Sequence, residues 1–138
     1  MQVLFNSIYS KFTSSTTAGS LYALLGGRLH FTEAPQGSAY PYGVYHLISN
    51  VPSWIFGATE NTMENYLIQF NLFDDDSGSS GINTAYKALT TSYDWCPDLS
   101  TSGYSNIYMK REFSNLTKES ESGIWNYMIQ YRVETQIE

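Results

Sequence analysis

An α+β fold with a mostly antiparallel sheet of four to five strands is predicted by three features of the sequence. From Trp125 to Ile137 the odd positions carry Trp125, Tyr127, Ile129, Tyr131 and Val133, while Asn126, Gln130, Arg132 and Glu134 hold even ones, the period of a half-buried strand. Tyr66, Ile68, Phe70 and Leu72 repeat that alternation within residues 64–73. Helical spacing appears before Gly26 and again over residues 82–92. At 138 residues and 15.6 kDa the chain has the size of one domain, spanning 1–138.

Taken in order, Val3, Leu4, Ile8 and Phe12 fall on one face of a first short helix, and Ser14 to Thr17 supply N-cap candidates for a second. That second helix runs through Leu21, Tyr22, Leu24 and Leu25 and stops at Gly26-Gly27, where glycine adopts a left-handed cap at least cost. Arg28 to Phe31 is short and extended. Ala34 to Pro41 is a turn-rich loop in which each proline turns its predecessor away from helix, so a strand begins just after Pro41.

Residues 42–49 and 64–73 read as a strand pair joined by a long hairpin loop over Val51 to Met63, with Trp54, Ile55 and Phe56 as an apolar tip. The Asp74-Asp75-Asp76 turn leads into a crossover helix, on which Ile82, Ala85, Tyr86 and Leu89 share a face. Ile107, Met109 and Phe113 place a third long strand over 106–113, and Lys118 to Gly123 form a charged hairpin turn before the last strand. Two short N-terminal helices and the crossover helix cover one sheet face. The other face, assigned Tyr45, Leu47, Leu67, Phe73, Tyr108 and Met128, is expected to meet other protein.

Composition narrows the function. The net charge of −6 and the lack of any Lys/Arg cluster remove the attraction that drives nucleic-acid or anionic-membrane binding. No run approaches the ~18 apolar residues of a membrane span, and Met1 to Tyr9 lack the pattern of a signal peptide. The Asn115-Leu116-Thr117 match to a glycosylation acceptor is therefore read as chance. One cysteine, Cys96, beside His30 and His46, cannot form an internal disulfide or a zinc set; flanked by Trp95 and Pro97, it reads as a buried small hydrophobe. No cofactor or metal is expected.

The candidate sites each have a plainer reading. Asp74 to Asp76 lack the alternating acids and closing glutamate of a calcium loop and read as a solvated turn favouring a helix N-terminus. His46 has no nucleophile motif near it and is expected to be a hydrogen-bonded sheet histidine. His30 with Arg28 and Glu33 reads as a polar rim. The glycine-containing stretches lack a phosphate-cradling pattern. For Trp54, Ile55 and Phe56, a loop folded over its own core and an arm reaching into a neighbouring subunit stand side by side.

Leu24-Leu25-Gly26-Gly27-Arg28-Leu29, then Ala34-Pro35-Gln36-Gly37, then Tyr40-Pro41 and the strand to Ser49, resemble the tail-completion, or tail-terminator, family of long-tailed bacteriophages. Residues 64–73, 82–92 and 127–134 look like that family's central strand, crossover helix and closing strand. The aromatic content is richer than expected, and Tyr40 stands where an aliphatic residue is expected.

The resemblance implies a non-enzymatic virion protein, made in the host cytoplasm. It would form a ring, commonly a hexamer, that ends tail-tube growth. Its partners would be copies of itself, the tail-tube protein and the head-connector or stopper protein, with DNA sliding through the lumen unbound. Subunit or partner contacts are expected at Trp54, Ile55, Phe56, Tyr45, Leu67 and Tyr108, and a DNA-repelling lumen lining at Asp74, Asp75 and Asp76. A head-completion stopper or adaptor is the neighbouring alternative. From a different class comes a small-molecule-binding or hydrolytic domain with His46, His30 and Glu64 around an aromatic pocket.

Overall fold

The computed structural model describes residues 2–54, 62–94 and 104–137, with side chains over 4–50, 64–94 and 109–135. The elements follow in the order α1 (Gln2–Thr13), α2 (Leu21–Leu25), β1 (Leu29–Phe31), β2 (Tyr42–Trp54), β3 (Thr62–Asp74), α3 (Ser80–Tyr93), β4 (Tyr104–Lys118) and β5 (Trp125–Ile137). The strands form one five-stranded sheet in the order β1-β2-β3-β5-β4. β1 runs parallel to β2 and the other pairs are antiparallel. This is the predicted α+β fold.

Alternation on the two central strands builds the core. Tyr66, Ile68, Phe70 and Leu72 of β3 pair with Val133, Tyr131, Ile129 and Tyr127 of β5, so both rows point to one face. Helix α1 lays Leu4, Phe5, Ile8 and Phe12 on that face, and α3 lays Ile82, Ala85, Leu89 and Tyr93 beside them. Phe70 centres the ring packing, with centroids 5.0 Å from Tyr93, 5.8 Å from Tyr131 and 6.0 Å from Tyr45. Each such ring contributes ~1.5–3 kcal/mol of burial. Two phenols reach past the core to pin α1: the Tyr93 hydroxyl donates to the Ile8 carbonyl at 2.7 Å and that of Tyr45 to the Phe5 carbonyl at 3.3 Å.

Helix α2 starts and stops for local reasons. The Ser20 hydroxyl accepts from the Ala23 N–H at 3.2 Å, and Gly26 ends the helix at φ 60°, with its own N–H returning to the Ala23 carbonyl. The cap is thus Ser20, not the Ser14 to Thr17 stretch, because only Ser20 immediately precedes the first helical turn.

Other expectations are corrected by longer strands. β2 continues to Trp54 and β3 begins at Thr62, so much of the Val51 to Met63 loop is ladder. β4 runs through Lys118 instead of ending at 113, and α3 begins at Ser80 and ends at Tyr93, outside residues 82–92 on both sides. Within β4 the register shifts twice, between Asn106 and Tyr108 and between Arg111 and Phe113. Each shift inserts a residue and reverses the facing of the strand beyond it. Met109 therefore pairs with Val133 and is buried, while Phe113 pairs with Gln130 on the other face and is 48% exposed. Simple alternation had placed the two on one side.

Candidate functional site

The sheet face opposite the described helices is amide-rich. Gln130 donates from Nε2 to Gln69 Oε1 at 3.0 Å, and Gln69 donates onward to Asn71 Oδ1 at 3.2 Å. Gln69 is buried within this row, although the described helices pack on the opposite face. Arg132 closes one side of the row through a 2.7 Å ion pair with Glu112 at the second β4 bulge.

At the β2 end of this row, the loop between β1 and β2 folds over the sheet. Thr32 leaves β1 at φ 73° with its N–H on the Tyr45 carbonyl at 2.9 Å, Gly37 turns at φ 78°, and Arg28 Nε holds the Pro41 carbonyl at 3.1 Å. Beneath the loop lies a cavity of about 650 Å³. One wall is a ladder of rings, with Tyr40 5.2 Å from Tyr42 and Tyr42 stacked at 5.0 Å on Phe73. The floor is Val44, His46 and Asn71, and the lining carries no Asp, Glu, Lys or Arg. His46 Nδ1 is buried there without a hydrogen-bond partner among the described residues, contrary to the expectation of a bonded sheet histidine. Burial and the neighbouring Tyr40 hydroxyl raise the Tyr42 phenol above its usual range.

The hydrolytic constellation does not assemble. His46 pairs with Gln69 on the open face, whereas Glu64 shares the register of Tyr66 on the helix face and accepts a hydrogen bond from the Tyr66 hydroxyl. His30 lines a separate hollow with Tyr9, Phe31 and Glu33, while Arg28 is engaged with the Pro41 carbonyl. Among the described residues no group of three or more His, Cys, Asp or Glu could hold a metal, and no helix is long and apolar enough to cross a membrane.

The residues predicted for contacts separate. Tyr45 is 4% exposed, packed between Phe31 and Phe70 on the helix face, so it belongs to the core and not to a contact surface. Leu47 shares that helix-face register by pairing with Ile68, yet is exposed. Leu67 is half-buried on the open face opposite Arg132. Tyr108 pairs through its backbone with Glu134, and Trp54 ends β2; the side chains of both lie outside the described residues, as do Ile55, Phe56 and Cys96. Asp74 is 7% exposed and so does not line an open surface. Its Oδ1 accepts from the Asp76 N–H at 3.3 Å, and a Cβ on Gly81 would meet its Oδ2 at 2.8 Å, which sets the carboxylate against the first turn of α3. Asp75 and Asp76 are exposed, and Trp125 Nε1 ties the turn to β5 through the Asp76 carbonyl at 3.0 Å.

A second polar cluster has no signature in the sequence. The Tyr131 hydroxyl donates to Asp94 Oδ1 at 2.6 Å, Arg111 pairs with Asp94 at 3.3 Å and donates to the Tyr86 hydroxyl, and Tyr86 stacks on Tyr127 at 4.0 Å. Burial first, then the bonded Asp94 carboxylate, hold the Tyr131 phenol far above its usual pKa. The cluster fixes where the chain leaves α3.

No protein-family model and no curated protein matches the chain. Among solved structures, it is similar to a chain from the virion of a native gene transfer agent particle, at 12% identity and a TM-score of 0.72, covering 94% of this chain and 91% of that one. A second solved chain aligns at 13% identity and a TM-score of 0.58, covering 96% and 95%. At these identities the likeness is one of fold.

Proposed function

We propose that this chain is a non-enzymatic structural protein of a phage-like virion, and that copies of it close as a ring on the head-proximal end of the tail tube. The observation that carries the reading is the fold shared over 94% of the chain with a component of a gene transfer agent virion. The resemblance of the Leu24–Leu29, Ala34–Gly37 and Tyr40–Ser49 segments to tail terminators supports the position on the tail.

The sheet supports self-assembly. β1 reaches only as far as Tyr45, so among the described residues β2 from His46 to Trp54 has an outer edge without a partner strand, as does β4 at the other end of the sheet. Two unpaired edges on opposite sides of one subunit suit head-to-tail contacts, which close into rings when the rotation permits. In such a ring the exposed Asp75 and Asp76 face DNA and repel phosphate, so that it slides without sticking. The partners are the chain itself, the tube protein and the head connector.

Light scattering or native mass of the purified protein, followed by negative-stain imaging, tests the ring. Six copies give about 94 kDa from 15.6 kDa subunits with cyclic symmetry. A chain that stays monomeric both alone and on purified tail tubes rules the reading out. Labelled protein found on the connector side of tail-free heads assigns it instead to a stopper.

A further inference from the structure

We propose that the cavity beneath the Thr32–Pro41 loop binds a neutral saccharide. The inference goes beyond the virion reading and holds whether or not the chain closes into a ring. Three observations carry it: what the lining excludes, what it offers, and how the loop above it is held.

The lining excludes two broad classes of ligand. It carries no Asp, Glu, Lys or Arg, so a phosphate, carboxylate or ammonium group would enter without a counter-charge, which disfavours nucleotides, acidic sugars and charged peptides. A wholly apolar guest fits no better, because Thr32, Gln36, Ser38 and Asn71 line the same space and half-buried Asn71 would lose its access to water. What remains is an uncharged molecule with an apolar face and a rim of hydroxyls, the chemistry of a neutral pyranose. The volume of about 650 Å³ lies within the ~300–1,000 Å³ usual for small-molecule sites.

The lining offers both kinds of surface. Tyr40, Tyr42 and Phe73 form one apolar wall, with successive centroids 5.2 and 5.0 Å apart, against which the C–H groups of a sugar ring pack. On the floor, Asn71 is a positioned donor. Gln130 donates to Gln69 and Gln69 to Asn71 Oδ1, so the amide oxygen of Asn71 is committed and its Nδ2 is what it presents to a ligand hydroxyl. The amide row thereby fixes one side chain of the cavity from two strands away from the loop.

The loop itself is braced at both ends. Thr32 leaves β1 at φ 73°, a region costly for a β-branched residue, and its N–H is tied to the Tyr45 carbonyl at 2.9 Å. At the other end Arg28 Nε holds the Pro41 carbonyl at 3.1 Å. Strain kept in place by surrounding bonds clusters at ligand clamps, and here it sits at the rim of the cavity.

Full-length labelled protein on an oligosaccharide array tests the site, with neutral glucose, galactose, mannose and N-acetylhexosamine chains beside their uronate-bearing counterparts. Calorimetry then measures the strongest neutral ligand. Binding is expected to neutral chains, at least about 10-fold weaker to acidic ones, and unchanged within about 2-fold between low and high salt. Asn71→Ala is expected to weaken it about 5-fold, the loss of one neutral hydrogen bond, and Gln36→Ala, on the exposed loop, to act in the same direction with an unchanged melt. Ser38→Trp, on the half-buried loop rim, fills the cavity and abolishes binding while the variant melts and self-associates like the parent.

Failure to bind any neutral chain overturns the proposal, as does a preference for acidic chains or binding that survives all three variants. Saturable binding of an uncharged proline-rich peptide in place of saccharide also overturns it. If the parent binds no chain and Ser38→Trp loses self-association, the cavity is a contact between copies, and the proposal fails while the ring stands. A parent that binds neutral chains yet never assembles removes the ring and leaves this site.

Discussion

The two faces of this sheet are made by the same strands and obey different rules. On the helix face, Tyr66, Ile68, Phe70, Ile129, Tyr131 and Val133 are sealed and rely on shape. On the open face, the Gln130–Gln69–Asn71 row relies on mutual hydrogen bonds and ends at an uncharged cavity. Stability is concentrated on the first face. The second is left tolerant of change and available for contact, and substitutions on each, with a pH series, separate the two.

Phe70→Ala has the largest expected effect. It empties the centre of the ring cluster and costs ~3–5 kcal/mol, read as a fall in the urea midpoint at unchanged slope. Raising the pH comes next. The folded chain keeps the Tyr131 proton far above the ordinary value of 10.0, while the unfolded chain releases it near that value. This contribution is intact below pH 10 and is lost above it, by up to ~1.4 kcal/mol per pH unit and phenol. Tyr131→Phe removes one phenol's share of that slope, which urea melts at successive alkaline pH values measure.

Tyr93→Phe keeps the ring and loses the bond to the Ile8 carbonyl, for about 1 kcal/mol in the same assay. Hydrogen exchange is expected to localise the loss to α1. Gln130→Ala, on the open face, costs least, within ~1 kcal/mol, because half-exposed Gln130 can be replaced by water as donor to Gln69. A loss comparable to that of Phe70→Ala would erase the distinction between the faces.

Much of this is legible in local pattern. The period-2 rows of β3 and β5, the helical faces of α1 and α3, and the glycine stop after Leu25 are short-range signals, and the structure keeps them. What depends on pairing is not legible. Sequence pattern assigns Tyr45 and Leu47 to the exposed face, but opposite Phe70 and Ile68 they take the helix-face register. Phe113 reads as a partner of Met109 until an inserted residue reverses it. The Tyr131–Asp94–Arg111 cluster joins residues far apart in sequence, and no periodicity announces it. Of the candidate site, the Ala34 to Pro41 segment is recognisable as a loop, whereas its seating over His46 and the resulting cavity come from the strand order.

The two inserted residues in β4 have a mechanical consequence. The second inserted residue puts Met109 and Phe113 on opposite faces of one strand, so a slip of one position against β5 misplaces an apolar core residue and an exposed one in the same step. Such a one-position slip would drive Phe113 inward and Met109 outward together, so this edge carries its own safeguard against being threaded wrongly.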